Sequence, residues 1–300
     1  MNFDAVLIAG PTASGKSQAA IALAQALNGV VINADSMQVY REIRILSARP
    51  SDADMAAAPH ALYGHVSARK PYSVGRYQAD AIAGLADARN KGQVPIFTGG
   101  TGLYFAALTE GLSDIPPTPD AIRSAARARL EEIGVAALHA ELAARDPQTA
   151  ATLRPSDPQR VLRAYEVWEA TNRPLVEWQT ESGKPVLEGL RTAKFVLAVP
   201  RPELRERIET RFRAMLAAGA REEALALAGL DPALPAAKIL GLRELASDLP
   251  QEEAITLAVT ATRQFAKRQN TWFKSRMRDW NWVDAGRSRN IIAQMSEIIS

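Results

Sequence analysis

Gly10-Pro11-Thr12-Ala13-Ser14-Gly15-Lys16-Ser17 is a complete G-x-x-x-x-G-K-[ST] phosphate loop, and its flanks decide the fold. Ala5-Val6-Leu7-Ile8-Ala9 before it is an apolar burst of the length of a buried strand. Gln18 to Leu27 after it is alanine-rich, with apolar residues at Ala20, Leu23, Ala24 and Leu27, the spacing of a helix face. Strand, loop and helix is the order in which such a loop works. The glycines let successive amides curl toward an anion, and the helix that follows adds the positive end of its dipole. Lys16 supplies a cation for the outermost phosphate, and Ser17 a hydroxyl suited to Mg²⁺. The stretch predicts binding of a di- or triphosphate; what becomes of that group has to be read elsewhere in the chain.

Gly29-Val30-Val31-Ile32-Asn33-Ala34-Asp35 reads as a second buried strand ending on a carboxylate. The carboxyl ends of parallel strands line the ligand crevice, so Asp35 is expected to face the same cleft as the phosphate loop. Ser36, Met37 and Gln38 continue into groups able to read a substrate beside it, while Arg44 and Arg49 suit either a phosphate or solvent. Val74 to Lys91 is an amphipathic helix, followed by a strand at Val94-Pro95-Ile96-Phe97-Thr98 and the turn Gly99-Gly100-Thr101-Gly102. No acidic pair closes that strand, which argues against a motor-type ATPase. Thr101 is placed to hydrogen-bond a bound group.

Three prolines between Ser113 and Asp120 mark a boundary, and the strand signal disappears from there to about Leu190. Helices are expected at Ala121–Glu132, Val135–Arg145 and Asp157–Thr171, with a short turn near Gln148 to Leu153, the last helix opened by a capping aspartate and Pro158. Arg160 and Arg163 share a face of that helix, with Glu166 available to Arg163. Phe195-Val196-Leu197-Ala198-Val199 restores the strand pattern. The expected fold is therefore α/β, a P-loop NTPase-like parallel sheet at 1–112 and 191–300 with an all-helical insertion domain at 113–190. Arg201 to Met215 reads as a solvated, ion-paired helix, and Lys238 to Leu245 as a basic element able to reach the phosphates. Thr262 to Arg278 holds six basic residues, no acid and interleaved aromatics, a plausible RNA-facing helix.

Composition adds bounds. Thirty-six basic against 33 acidic residues leave a formal charge of +3, and 47% hydrophobic with 23% charged content is that of a folded globular chain. The absence of cysteine excludes disulfides and thiolate metal sites. Neither a leader nor a run long enough to span a membrane is recognised, so a cytoplasmic protein is expected.

Taken together, GPTASGKS (Gly10 to Ser17), DSMQVYR (Asp35 to Arg41), GGTGLY (Gly99 to Tyr104), DPQRVLR (Asp157 to Arg163), GLREL (Gly241 to Leu245) and ATRQFAKRQNTW (Ala261 to Trp272) resemble the tRNA dimethylallyltransferases over nearly the whole chain. The resemblance implies transfer of a dimethylallyl group from dimethylallyl diphosphate to the exocyclic amine of the adenosine 3′-adjacent to the anticodon in tRNA. It implies Lys16, Ser17, Mg²⁺ and the amides of Gly10 to Ser17 at the diphosphate, assisted by Arg243. Asp35 would accept the proton of the attacking amine, with Thr101 at the reaction centre. Asp35, Ser36, Met37, Gln38, Thr101, Arg123 and the run Gln159, Arg160, Val161, Leu162, Arg163 would contact the anticodon stem-loop. No membrane and no obligate protein partner is expected.

The chain departs from the family pattern at Arg44-Ile45-Leu46-Ser47-Ala48-Arg49-Pro50, where Asp-Ile-Gly-Thr-Ala-Lys-Pro is usual, and at Leu242, where tyrosine is. The competing readings are a small-molecule P-loop kinase with Asp35 as base, an adenylate isopentenyltransferase acting on free nucleotides, and a non-catalytic RNA-binding protein.

Overall fold

The computed structural model describes residues 3–181, 183–286 and 290–299. Residues 1–109 and 186–300 form one compact unit, and residues 110–185 a second.

The first unit begins with β1 (Ala5–Ala9), α1 (Lys16–Leu27), β2 (Gly29–Asn33), α2 (Asp52–Ala57), β3 (His60–Ala61), α3 (Val74–Asn90), β4 (Val94–Gly99) and α4 (Gly102–Thr109). The second unit is α5 (Asp120–Arg145), α6 (Pro147–Thr152), α7 (Pro158–Thr171) and α8 (Leu175–Thr180). The chain then returns with β5 (Thr192–Ala198), α9 (Arg201–Ala217), α10 (Ala220–Ala226), a 3₁₀ turn at Pro235–Lys238, α11 (Leu242–Leu245), α12 (Gln251–Arg276), β6 (Asn281–Asp284) and α13 (Ile291–Ile299).

The six strands run in the order β3-β2-β4-β1-β5-β6, with parallel pairing throughout. Every residue of β1 is buried, because both faces of a parallel sheet are covered by helices. Its side chains alternate between two cores. Ala5, Leu7 and Ala9 join a cluster with Tyr77, Phe105, Phe212 and Phe273, whereas Val6 and Ile8 join one with Ala20, Leu23 and Met295. This period-two division makes a three-layer sandwich with β1 at its centre and the phosphate loop leaving its carboxyl end. Among the described residues no helix is long and apolar enough to cross a membrane.

The helical unit has its own core of Leu138, Leu142, Val161, Ala164, Tyr165 and Val167. Gly134 interrupts α5 with φ 78° and ψ 165°, so the long helix is two segments meeting at a kink. Against the expected 113–190, the helical unit runs 110–185. Gly183 N–H bonds the Leu112 carbonyl at 2.9 Å, which draws residue 112 into it, while Val186 and Leu187 bond the carbonyls of Ala107 and Leu108 at the end of α4.

Candidate active site

The phosphate loop enters α1 through Gly15, whose φ of 88° is the left-handed conformation that a side chain disfavours. Ala13 also adopts positive φ, 63°, and the Ser14 N–H closes the loop on the Pro11 carbonyl at 3.2 Å. Lys16 Nζ lies 3.2 Å from that carbonyl oxygen. Burial draws the Lys16 ammonium down to about 8, with Asp35 opposing the shift and Arg211 adding to it. Thr12 and Ser17 are half-buried, Ser14 fully buried with its hydroxyl unpartnered.

Arg211 was expected on a solvated face of α9; instead its guanidinium reaches the phosphate loop and donates to the Thr12 hydroxyl. Burial lowers its pKa and Asp35 raises it. Arg243 is placed differently. It is exposed on the short α11, and among the described residues it has no hydrogen bond or ion pair with the loop. The helical period on α9 alternates Arg211 with the exposed Arg213, and charge alone does not distinguish them.

Asp35 stands just beyond β2, half-buried. Its N–H is held by Asn33 Oδ1 at 2.9 Å and its Oδ1 accepts the Met37 N–H at 3.0 Å, which leaves Oδ2 turned toward Gly100. Thr101 fixes the next residue: its Oγ1 accepts the Ser36 N–H at 2.9 Å and donates to Ser36 Oγ at 3.1 Å. Gln38 donates to the Ser47 and Ala48 carbonyls at 3.0 and 2.8 Å, so it holds the 44–50 loop in place.

The glycine turn after β4 is explained by what presses on it. A Cβ at Gly99 would lie 2.0 Å from the Ala34 carbonyl oxygen, one at Gly100 2.2 Å from Gln269 Nε2, and one at Gly102 2.4 Å from the Trp272 ring. Gln269, buried on α12, accepts the Thr12 N–H at 2.9 Å and donates to the Gly100 carbonyl at 2.8 Å. Sequence reading took Thr262 to Arg278 for an RNA-facing helix; the structure turns Gln269 and Trp272 inward onto the site.

The 44–50 loop is held by its backbone. Glu223 on α10 accepts the N–H groups of Arg44, Ile45 and Leu46 at 2.8 to 2.9 Å. Arg49 donates to the Tyr40 and Arg41 carbonyls at 3.1 and 3.3 Å. Leu46 thereby joins Met37, Ile208, Phe212, Met215 and Phe265 around a cavity of about 50 Å³, whose polar lining is Thr12, Asp35, Ser47, Arg211 and Thr262.

On the helical unit, the Asp157 side chain caps α7 by accepting the Arg160 N–H at 3.1 Å. Gln159 and Arg160 are exposed. Arg163 bonds Thr118 Oγ1 at 3.0 Å and lies 3.7 Å from Glu166. Burial raises the Glu166 pKa against the opposing charges of Arg163, Arg123 and Arg127, which gathers three arginines about one carboxylate. Val161 is the exception among the residues expected at an RNA. It is fully buried in the core of the unit, with Leu162 packed against that core, so the helix offers its polar face and uses these two for packing.

A phosphate loop, a carboxylate at a neighbouring strand end and an apolar cavity between them define a P-loop α/β protein built for group transfer. The IPP transferase family model matches residues 38–276, and the Isopentenyl transferase model matches residues 3–62. A tRNA dimethylallyltransferase of Bradyrhizobium sp. (strain BTAi1) is 53% identical, over 96% of this chain and 97% of its own length. That of Agrobacterium fabrum is 51% identical over 94% and 96%. Among solved structures, the full-length tRNA isopentenylpyrophosphate transferase of Bacillus halodurans superposes with a TM-score of 0.68 at 31% identity, covering 98% of this chain and 94% of that one. A eukaryotic dimethylallyltransferase acting on tRNA gives 0.81 at 27% identity, covering 97% and 77%. The chain belongs to the IPP transferase family, that of the tRNA dimethylallyltransferases.

Proposed function

We infer that the protein transfers the dimethylallyl group of dimethylallyl diphosphate to the exocyclic amine of the adenosine 3′-adjacent to the anticodon in tRNA, releasing diphosphate. The observation that carries this reading is the apolar cavity with Asp35 and Arg211 at its polar side. The apolar walls of this cavity suit a branched five-carbon group held beside the base. Relatives more than 50% identical over nearly the full chain are named tRNA dimethylallyltransferases, which favours this reading over a small-molecule kinase or an enzyme of free nucleotides.

The chemistry follows from the residues. The amine attacks the allylic carbon, the bond from that carbon to the diphosphate oxygen breaks, and the amine proton is released. Lys16, Arg211 and the loop amides stabilise the charge that develops on the departing diphosphate. Asp35, its Oδ1 committed to Met37 and its Oδ2 open, accepts the proton. Thr101 holds Ser36 and so keeps this carboxylate oriented. The acceptor base has to leave its stack to reach a strand-end crevice, and Arg123, Gln159, Arg160 and Arg163 are the residues we assign to the anticodon arm.

Mg²⁺ suits the donor set. The Ser17 hydroxyl makes no hydrogen bond among the described residues, and no cluster of three or more carboxylates or imidazoles there forms an all-protein cage. A cation that keeps its waters and takes one hydroxyl plus diphosphate oxygens needs no more. When bound, it would supply further neutralisation of the diphosphate. With tRNA as acceptor, the cytoplasm is the expected location.

The test offers labelled dimethylallyl diphosphate, or ATP, with an anticodon stem-loop or free AMP. Label entering the stem-loop is expected. Label entering AMP alone, or phosphate transfer from ATP without prenylation, would overturn the reading. Asp35→Ala is expected to abolish transfer while diphosphate binding stays measurable.

A further inference from the structure

One leucine sets the far wall of the apolar cavity beside Asp35. α9 begins beyond β5, reaches the phosphate loop with Arg211, and lines the cavity with Phe212 and Met215 before it ends at Ala217. About two turns past Arg211, a Cβ at Gly219 would lie 3.8 Å from Ile45 Cδ1, so the 44–50 loop meets the chain there. Leu46 projects from that loop into the cavity. It is 8% exposed, and a Cβ at Gly241 would touch both its Cδ2, at 3.3 Å, and the Phe212 ring, at 3.0 Å. The backbone beneath it has little freedom. Glu223 accepts the Ile45 and Leu46 N–H groups at 2.9 Å, while the Ala48 N–H bonds the Ile45 carbonyl at 2.9 Å and the Arg49 N–H the Arg44 carbonyl at 3.1 Å. The neighbouring hydroxyls of the lining have spent their protons, Ser47 on the Ile43 carbonyl and Thr262 on the Ala258 carbonyl. Leucine stands here where the family usually has glycine, so the wall belongs to this chain.

We propose that Leu46, held in place by Glu223, limits the prenyl donor to a single five-carbon unit. The proposal rests on the transfer reading above. The cavity measures about 50 Å³, room for a small branched group and not for a second isoprene unit behind it. One methylene too many in an apolar pocket costs about 10- to 200-fold in kcat/KM, because a packed interior gives way only at the expense of strained rotamers. A longer donor, with its diphosphate on the phosphate loop and its allylic carbon beside Asp35, has to pass its tail through the place of the Leu46 side chain. Truncating that side chain clears the path and takes nothing from Lys16, Arg211 or Asp35, so the same carbon–oxygen bond breaks and the same carbon–nitrogen bond forms on either donor. Glu223 lies outside the cavity lining and is a positioning residue, acting through the leucine whose N–H it holds.

The experiment offers labelled dimethylallyl diphosphate or its ten-carbon homologue, geranyl diphosphate, with an anticodon stem-loop, and reads the ratio of the two kcat/KM values. Wild type is expected to favour the dimethylallyl donor by about a hundredfold or more. Leu46→Ala should narrow that ratio by about tenfold or more, the gain appearing on the geranyl donor. Leu46→Val removes less of the side chain and should narrow the ratio in the same direction by a smaller factor, so it carries the test if the alanine variant does not fold. Glu223→Gln should narrow the ratio severalfold on its own and not at all in the Leu46→Ala background, since its effect passes through the leucine. An unmoved ratio in both Leu46 variants, with dimethylallyl transfer intact, would overturn the proposal and leave the transfer reading standing. So would a wild type that uses the two donors equally. A shift from Glu223→Gln that persists without the leucine would refute the positioning role. Transfer of neither label to the stem-loop by wild type would sink the transfer reading, and the proposal with it.

Discussion

Gln269 and Thr12 are 257 positions apart in the chain and 2.9 Å apart in space, the glutamine Oε1 accepting the N–H of the phosphate loop. The same side chain donates to the Gly100 carbonyl at 2.8 Å. One amide therefore sets the spacing between the phosphate loop and the turn that carries Thr101. Gln269→Leu strands the buried Gly100 carbonyl, a loss of about 1–3 kcal/mol, and frees the loop. We expect a lower midpoint in urea unfolding together with a raised donor KM. Gln269→Glu keeps the acceptor for Thr12 and should lie between. Wild-type stability and KM in the leucine variant would show that the bridge is dispensable.

Lys16 makes donor binding pH-dependent. Burial lowers its pKa to about 8 in the free enzyme, so the ammonium is half lost at that pH and declines further above it. Bound diphosphate favours the charged form and is itself fully ionised there, its last phosphate proton leaving near pH ~6. Binding above pH 8 must then take up a proton, and affinity should fall by about tenfold per pH unit over that range. The Lys16→Arg variant should show no such fall. The same depressed pKa predicts that the unliganded protein gains stability as pH rises from about 8 toward the ordinary lysine value of 10.5. Calorimetric titration of the donor between pH 7 and 10 checks the first statement, and urea midpoints over the same range the second.

Arg211 and Arg243 separate two accounts of the diphosphate. Arg211→Ala removes a buried guanidinium beside Thr12 and is expected to cost at least a hundredfold in kcat/KM. Arg243→Ala, on the exposed face of α11, is expected to change it less than fivefold. Equal losses in the two variants would show that α11 moves onto the diphosphate when donor binds.

Much of the fold is written locally. The phosphate loop, the strands on either side of Asp35 and Thr101, and the α7 cap at Asp157 each follow from residues near one another in the chain. What was not legible came from long-range packing. Arg211 reads like its neighbours on α9 until α9 lies against the phosphate loop, and Gln269 and Trp272 read as part of a basic surface helix until α12 covers the glycine turn. The edge strands β3 and β6, of two and four residues, are too short for period-two alternation to mark. Val161 was included in a motif as a contiguous run, although helical periodicity sends it to the core while Arg160 and Arg163 stay outside.

The loop at residues 44–50 departs from the family's usual residues, and Glu223 explains why the departure costs little. The carboxylate grips three consecutive backbone N–H groups, and any residue but proline offers the same group. Heredity at this corner therefore acts on a shape rather than on letters. The exposed side chain at 44 is free to drift in evolution as long as a distant acid, 179 positions further along the chain, stays where it is, while Ile45 and Leu46 remain tied to the core they pack on.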